Sequence, residues 1–496
     1  MFRKTITGAI CLLAVETFAA GPAAAEAVFR ISHQLEGGGA ESMDPYDTNR
    51  FWPPINMVYN RLVYAGPDGL PLPELATAWH AENGERAWIF TLQEGVTFSD
   101  GSAFDAVDVA YSIMRMIDPE LDSPLRPVLE NIERVEVVDP LTVRIVTKAP
   151  DADLPVLLTD YRALMIPEGS GETIDENPVG TGPFKVETIE PEGTSVLVAN
   201  PDYFRGKPGV DRVEVIAITD SVARVQALQA GQIDYIDNID PKQLALFSDT
   251  SRFTTQKIET GEWEALIMRT DTSPYDDPRV RKALRIAADR ESIIKVVLGE
   301  GGGHVACDNP VWQGDPYHWD GQCGQDIEGA RKLLAEAGYP DGIDVQVFTS
   351  DVVDTYVSLV EAYQEQVKDA GIRVELVMTA ADGYWNDVWM VEPFFVTGWG
   401  QRPAAQILPE AFRSGAAWNE SYYANPEFDA LLDRARSEPD FDKRKALYVE
   451  AQQMLFEDGG AFIPYFRSVA RVFRANVKGV DPVISDSVRW EAITVD

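Results

Sequence analysis

The sequence predicts a mixed α/β fold in a long, exported chain. Strand-like and helix-like segments alternate along its length, without internal repeats or low-complexity tracts. With 496 residues, 45% of them hydrophobic and 25% charged, the composition is that of a globular protein with roughly three domains' worth of chain. The N-terminus carries the features of an export signal, which sets the compartment.

The first 25 residues have the three parts of a secretory signal peptide. Arg3 and Lys4 are positively charged, residues 6–20 are mainly apolar, and the mainly small residues 23–27 (AAAEA) offer a cleavage site after Ala25. No later segment reaches the roughly 20 consecutive apolar residues that a transmembrane helix needs. We therefore expect residues 1–25 to be removed and the mature protein to be soluble.

The charge of the chain excludes two classes of partner. It carries 80 acidic against 43 basic residues, a net charge of −37. Nucleic acids and anionic membranes are bound by cationic surfaces, so neither is expected to bind here. We interpret the acidity as a solvated coat that favours solubility, rather than as a binding surface for a partner.

In the first third of the chain, local patterns predict a strand, a helix and a hairpin. Residues 88–92 alternate as a strand, and residues 106–117 place their apolar side chains on one face of a helix. Two strand-like runs, 135–138 and 142–147, flank a turn at Asp139-Pro140 and predict a β-hairpin.

Later segments predict a parallel strand pair. Asp277-Pro278 has the form of a helix N-cap followed by proline at the first helical position. Residues 327–337 form another amphipathic helix. Strand-like runs at 345–348 and 372–378 enclose a helical pattern at 353–367, which predicts a βαβ unit with a right-handed crossover.

Signatures of catalysis and cofactor binding are missing from the sequence. It contains no HExxH motif, no Walker A loop and no CxxC pair. Few candidates exist for a general base or a metal ligand, since the histidines are His33, His80, His304 and His318. We therefore predict that the protein is not an enzyme and needs no cofactor or metal.

Two cysteines remain after removal of the signal peptide, Cys307 and Cys323. In an oxidising compartment, such a pair across a short loop predicts a disulfide, with a stabilisation of roughly 3 kcal/mol. A metal site with His304 and His318 is the alternative, but the spacing matches no zinc pattern.

Several short strings follow one another in a characteristic order. Through them the chain resembles the bacterial extracellular solute-binding proteins of family 5, which include dipeptide-, oligopeptide- and nickel-binding proteins. The string at 90–112 is the most specific, although Gln93 replaces the commoner arginine. The strings are 42–45 (SMDP), 71–79 (PLPELATAW), 90–112 (FTLQEGVTFSDGSAFDAVDVAYS), 180–184 (GTGPF), 200–204 (NPDYF), 230–234 (AGQID) and 277–284 (DPRVRKAL).

This resemblance implies an α/β clamshell of the periplasmic-binding-protein type, with two lobes and an extra subdomain inserted in the first. Lobe I would comprise residues 26–63, 177–270 and 468–496, and the inserted subdomain residues 64–176. Lobe II would comprise residues 271–467. The lobes would close on a ligand and present the closed form to a membrane permease.

The resemblance also implies the periplasmic binding protein of an ABC importer. Its partners would be a peptide-like or other small organic solute and the permease subunits of the inner membrane, and a monomer is expected. A nickel or metal chelate and an oligosaccharide stay open as ligands within this fold. A secreted hydrolase, and a sensory or chaperone-like binding protein, are the alternatives from other classes.

One position departs from the peptide-binding pattern of the family. In peptide-binding relatives, a Gly-Trp motif precedes an aspartate that pairs with the α-ammonium group. Here the motif is Gly398-Trp399-Gly400, and the aspartate position holds Arg402. An arginine suits a carboxylate, phosphate or sulfate and repels an ammonium group. We hypothesise an anionic ligand group near Trp399; alternatively, Arg402 faces solvent or pairs with a protein carboxylate.

The other candidate ligand-binding residues follow from their position in the family pattern. They are mostly aromatic, and aromatic walls with few polar anchors suit a closing small-molecule site. Packing in the core is the alternative for each of them. These residues are Arg50, Phe51, Trp52, Tyr384, Trp385 and Tyr465.

Overall fold

The computed structural model describes residues 26–35, 39–121, 123–484 and 487–496, with the backbone alone at residue 241. The predicted signal peptide at residues 1–25 lies outside this part of the chain. Among the described residues, no helix is both long and apolar enough to cross a membrane.

Strands and helices alternate along the chain, which confirms the predicted α/β class. The strands are β1 (Val28–His33), β2 (Val63–Ala65), β3 (Pro71–Pro73), β4 (Ala76–Glu82), β5 (Ala87–Leu92), β6 (Ile132–Asp139), β7 (Thr142–Thr147), β8 (Phe184–Thr188), β9 (Thr194–Ala199), β10 (Arg212–Ala217), β11 (Tyr235–Ile239), β12 (Phe253–Met268), β13 (Gly303–Val305), β14 (Ile343–Thr349), β15 (Ile372–Met378), β16 (Phe394–Trp399), β17 (Ala461–Arg474), β18 (Val477–Lys478) and β19 (Thr494–Val495). The α-helices are α1 (Ile55–Val58), α2 (Ala106–Met116), α3 (Arg126–Leu129), α4 (Leu154–Leu157), α5 (Ser221–Ala230), α6 (Pro278–Ile286), α7 (Arg290–Val297), α8 (Ile327–Glu336), α9 (Tyr356–Val367), α10 (Tyr384–Asp387), α11 (Ala404–Phe412), α12 (Pro426–Ser437) and α13 (Phe441–Asp458).

One large mixed sheet extends from the predicted lobe II into the predicted lobe I. Its order is β15-β14-β16-β12-β17-β11-β1-β10-β9-β8, and β13 also pairs with β17. The central strands β12 and β17 are long and antiparallel to each other. Their register shifts between Glu259 and Trp263, so one half of the pair lies on each side of an irregular segment. The two strands therefore connect the lobes.

Three parallel strands place a set of loops at one edge of lobe I. Strand β1 pairs in parallel with β10 on one side and with β11 on the other. The chain from β10 through α5 to β11 must therefore cross β1. The carboxyl ends of these strands form a topological switch point, which is where open α/β sheets bind ligands.

A separate four-stranded antiparallel sheet, β4-β5-β7-β6, forms the centre of the inserted segment. Strands β6 and β7 pair as the predicted hairpin. Helix α2 begins at a capping box made by Asp105 and Asp108. The predicted helix over 106–117 is thereby confirmed.

The predictions for the later segments are also confirmed. Strands β14 and β15 are parallel over their whole length and are connected through α9. The Asp277 side chain accepts a hydrogen bond from the backbone N–H of Arg279 at the start of α6. Cys307 and Cys323 form the predicted disulfide.

The GTGPF string owes its glycines to a close approach of two backbones. A Cβ atom at Gly180 would lie 2.0 Å from the carbonyl oxygen of Val58, and one at Gly182 would lie 2.4 Å from that of Met57. Only hydrogen fits in these places, so the motif packs the segment before β8 against α1.

Candidate ligand-binding cleft

Three of the predicted ligand-binding residues lie around Tyr161, a residue that the sequence analysis did not identify. Arg50 donates from Nη2 to the Tyr161 hydroxyl at 2.5 Å. The guanidinium carbon of Arg402 lies 5.6 Å from the centre of the same ring. Trp52 packs edge-on against it, with ring centres 6.2 Å apart. Arg402 lies in the predicted lobe II and the other three residues do not, so this arginine–tyrosine cluster spans the predicted boundary between the lobes.

Arg402 is not neutralised by a protein carboxylate. Its Nη1 donates to a backbone carbonyl at 2.9 Å, and its buried Nε has no hydrogen-bond partner. Asp160 lies within electrostatic range but accepts two hydrogen bonds from Arg162, at 2.8 and 2.5 Å. Within the described ranges, Arg402 forms no ion pair with any carboxylate. Asp160 and Glu410 therefore act on Arg402 through their charges, without an ion pair at contact distance.

Arginine charges act on the two neighbouring carboxyl groups, Asp160 and Glu410. Burial opposes ionisation of Asp160, but the charge and hydrogen bonds of Arg162, with a smaller contribution from Arg402, lower its pKa below the ordinary range. Burial raises the pKa of Glu410, against the opposing charges of Arg402 and Arg162. With Arg50 also present, the cluster has a positive balance that favours an anion.

Two cavities meet at this cluster. A cavity of about 60 Å³ is lined by Arg402, Tyr161 and Trp312, among other residues. A second cavity of about 180 Å³ includes Trp52 and the carboxyl ends of β1 and β11. Ile484 lines both cavities, so they lie next to each other.

Trp399 lies at the end of β16 within a group of tryptophans. Its ring stacks on Trp263 of β12, with centres 6.1 Å apart and planes inclined by 20°. Trp418 meets it edge-on at 5.6 Å. Gly398 and Gly400 on either side are exposed, so the Gly-Trp-Gly segment presents its backbone to solvent while the indole is held inside.

A buried carboxyl group, Glu420, holds this tryptophan group in place. It accepts hydrogen bonds from Trp389 Nε1 at 2.5 Å, Thr397 Oγ1 at 2.8 Å and Trp399 Nε1 at 3.2 Å. Burial raises the pKa of Glu420 to about 7, although the three donors oppose the shift. Glu420 is a residue that the sequence analysis missed.

Tyr465 lies in the strand pair that connects the lobes. It is fully buried, and its hydroxyl donates to Glu264 Oε2 at 2.6 Å. Thr355 donates to the other oxygen at 2.6 Å, and Arg467 approaches that oxygen to 3.6 Å. The structure therefore places Tyr465 in a polar network at the register shift, apart from the Arg402 cluster.

Three further predicted residues pack elsewhere. Phe51 is fully buried and lies edge-on to His33 at 4.9 Å. Tyr384 is also buried and donates to the carbonyl of Val396 at 2.6 Å. Trp385 is 45% exposed and leans against Tyr384. None of these three lines the two cavities described above.

A second polar contact links the inserted segment to lobe II. Asp153 is fully buried and accepts hydrogen bonds from the hydroxyls of Tyr317 at 2.7 Å and Tyr448 at 2.8 Å. Arg444 Nε lies 3.1 Å from the same carboxylate. This Asp153–Arg444 contact joins the inserted segment to α13 of the predicted lobe II.

The comparison with protein families decides the classification. The family described as bacterial extracellular solute-binding proteins, family 5, matches residues 71–420. The chain belongs to this family. Family 5 proteins bind solutes for ABC importers, and this protein is therefore a solute-binding protein of an ABC importer.

Named relatives align with most of the length of this family 5 protein. The glutathione-binding protein GsiB of Salmonella paratyphi A is 28% identical over 455 residues, which cover 85% of this chain and 86% of that protein. These relatives are substrate-binding proteins of a transport family that is extracellular or periplasmic.

Solved structures of similar fold confirm the two-lobed architecture. The substrate-binding protein CtaP of Listeria monocytogenes has a TM-score of 0.85 at 22% identity, with 95% of this chain and 99% of that chain covered. AgaA of A. tumefacien R10, solved in complex with agropinic acid, has a TM-score of 0.77 at 23% identity, with 95% and 98% covered. In the described part of this chain, no group of three or more His, Cys, Asp or Glu residues could hold a metal ion.

Proposed function

We propose that this protein captures an anionic, broadly peptide-like organic solute in the periplasm and delivers it to the permease of its importer. The observation that carries the proposal is Arg402. It takes the place of the ammonium-binding aspartate, lies between the lobes and has no carboxylate partner among the described residues. Arg50 adds a second positive charge, 4.8 Å from the centre of the Tyr161 ring. Two guanidinium groups around one ring favour a carboxylate, phosphate or sulfate group.

The names of two similar proteins agree with an anionic ligand. GsiB is named for glutathione, and AgaA was solved with agropinic acid. Both compounds carry carboxylate groups. They support the class of ligand that we propose, and the arginine pair of this chain supports where its anion would bind.

The closing of the lobes over the ligand requires no chemistry of the chain itself, and we propose a binding role without catalysis. We also propose that the mature protein begins after Ala25 and is a monomer. N-terminal sequencing of the periplasmic fraction and light scattering of the purified protein test these two points. A start elsewhere, or a stable dimer, would contradict them.

Peptides with one end blocked test the proposed anchor. N-acetylated dipeptides with a free carboxylate, and dipeptide amides with a free ammonium group, should be compared by thermal shift and calorimetry. We expect the N-acetylated acids to bind and the amides not to bind. Loss of a charged hydrogen bond in Arg402→Ala should weaken binding by about tenfold to hundredfold.

A matched control separates the anchor from a general loss of positive charge. Arg134 is exposed on β6, where it pairs with Glu133 and Glu136, so Arg134→Ala should bind like the wild type. Equal affinity of Arg402→Ala and wild type for the N-acetylated acids would refute the anchor. Preferential binding of dipeptide amides would return the protein to the ammonium-binding pattern.

A further inference from the structure

The larger of the two cavities is a polar chamber at the switch point of lobe I. It lies where β1 and β11 end, and it is lined by Ser32, Gln34, Asn238, Arg224 and Trp52, among others. Arg224 comes from the first turns of α5. The strand order, the crossover helix and the chamber coincide, as expected for a ligand site in an open α/β sheet.

Two polar side chains in this chamber have no partner. Arg224 is 9% exposed, and within the part of the chain that the structure describes it makes no hydrogen bond or ion pair. Ser32 is 8% exposed, and its buried Oγ also has no hydrogen-bond partner. Nε is the nitrogen of Arg224 that is buried without a partner, and a buried donor that gives up water without gaining a partner is costly. The cost is recovered when an anion enters the chamber.

The carboxylates near the chamber do not neutralise Arg224. Asp237 accepts a hydrogen bond from Arg471 at 2.9 Å, and Glu262 lies 3.9 Å from Arg467. Burial lowers the pKa of Arg224, and Asp220 opposes this effect. Asp220 itself caps α5 by accepting a hydrogen bond from a backbone N–H. Arginine keeps its proton in such surroundings, so a positive charge faces the chamber.

The chamber lies next to the cavity under Arg402. Ile484 lines both, and Trp52 of the chamber packs against Tyr161, which lies beneath the guanidinium of Arg402. We infer that Arg224 and Ser32 bind a second anionic group of the ligand that Arg402 anchors, so that the solute is an elongated dianion with an acid group at each end. This inference rests on the proposed function, since it takes Arg402 as the first anchor.

A series of dicarboxylates tests the two-ended ligand. The probes are the α,ω-dicarboxylates from succinate to suberate and the monocarboxylates of the same lengths, at constant ionic strength, with sulfate as a small anion. Binding is measured by calorimetry and thermal shift for wild type, Arg224→Met, Ser32→Ala, Arg402→Ala and the surface control Arg134→Ala.

We expect the best dicarboxylate to bind about tenfold or more tightly than its monocarboxylate, because it forms one more hydrogen-bonded charge pair. Arg224→Met should remove this preference and leave monocarboxylate affinity within about twofold of wild type. Arg402→Ala should weaken both classes. Without ligand, Arg224→Met should melt no lower than wild type, because it removes an unpaired buried charge; a purely structural arginine would instead lower the melting temperature.

Each contrary outcome has a distinct meaning. A dicarboxylate preference that survives in Arg224→Met overturns the second anchor, while the first anchor stands if Arg402→Ala still weakens binding. Lost dicarboxylate binding in Arg224→Met but not in Arg402→Ala leaves one anion site at Arg224 and refutes both the Arg402 anchor and the two-ended ligand. If wild type shows neither a dicarboxylate preference nor a sulfate-dependent shift that Arg224→Met removes, the inference is wrong.

Discussion

Replacement of Glu420 by glutamine should make the stability of this protein less dependent on pH. Glu420 is 4% exposed and has three donors but no cation beside it: Trp389, Thr397 and Trp399. Glutamine has the same shape and can keep two of these hydrogen bonds through its amide oxygen. Its NH₂ group would face the indole N–H of Trp399, so the third bond is lost.

The size of the effect follows from the buried charge. The pKa of Glu420 is raised from its ordinary value of 4.5 to about 7, and one pKa unit corresponds to about 1.4 kcal/mol. Ionised Glu420 therefore costs the folded state about 3 kcal/mol above pH 7. Between pH 4.5 and pH 7 the folded protein holds a proton on Glu420 that the unfolded chain releases. The contribution of this protonated group to stability therefore grows as pH falls and is lost as pH rises through 7. Glu420→Gln removes this cost and gives up about 1 kcal/mol of hydrogen bonding.

Urea denaturation at pH 5 and pH 8 measures the difference directly. Glu420→Gln should be more stable than wild type by about 2 kcal/mol at pH 8, and about as stable as wild type at pH 5, because at pH 5 the unfolded wild type is already mostly ionised at this residue and the resulting cost of about 1 kcal/mol offsets the lost hydrogen bond. The exposed Glu94, changed to glutamine in the same way, serves as a control and should not alter the pH dependence. A difference between Glu420→Gln and wild type that is the same at both pH values would refute the reasoning.

Three other changes have expected outcomes. Asp153→Asn leaves Arg444 without its counterion; if this contact forms as the lobes close, we expect ligand affinity to fall by about hundredfold, equivalent to about 3 kcal/mol, and small-angle scattering to show a larger radius of gyration. An unchanged radius and affinity would contradict this. Cys307→Ser with Cys323→Ser should lower the free energy of unfolding by about 3 kcal/mol, which an unaltered urea midpoint would disprove. Gly180→Ala places a Cβ atom 2.0 Å from a backbone oxygen and should cost about 3 kcal/mol; a melting temperature equal to that of wild type would count against it.

The secondary structure could be predicted where its signals are local. The βαβ unit of β14, α9 and β15 follows from hydrophobic periodicity, and the start of α6 follows from Asp277-Pro278. Arg402 could be found because a short motif fixes its place relative to Trp399. These signals arise from residues that are close together in the sequence, so they can be recognised without knowledge of the fold.

The remainder of the site depends on contacts between distant segments. Tyr161 belongs to a loop of the inserted segment, and no local pattern reveals that it meets Arg50 and Arg402. The unpaired state of Arg224 depends on which carboxylates other strands bring near it. Phe51 illustrates a second limit, because an aromatic residue in the core and one in a pocket have the same periodicity, and only the fold separates them.

The strand pair β12–β17 has a consequence for how the permease recognises the protein. A hydrogen-bonded ribbon resists stretching and shear, but it bends where its register is interrupted, here between Glu259 and Trp263. We therefore expect the lobes to move relative to each other mainly by bending at this irregular segment. Solutes of different shape would then produce the same closed arrangement, as long as each brings the lobes to the same angle. We therefore expect the cleft to discriminate among ligands, and the permease to recognise the closed arrangement of the lobes whichever solute is bound.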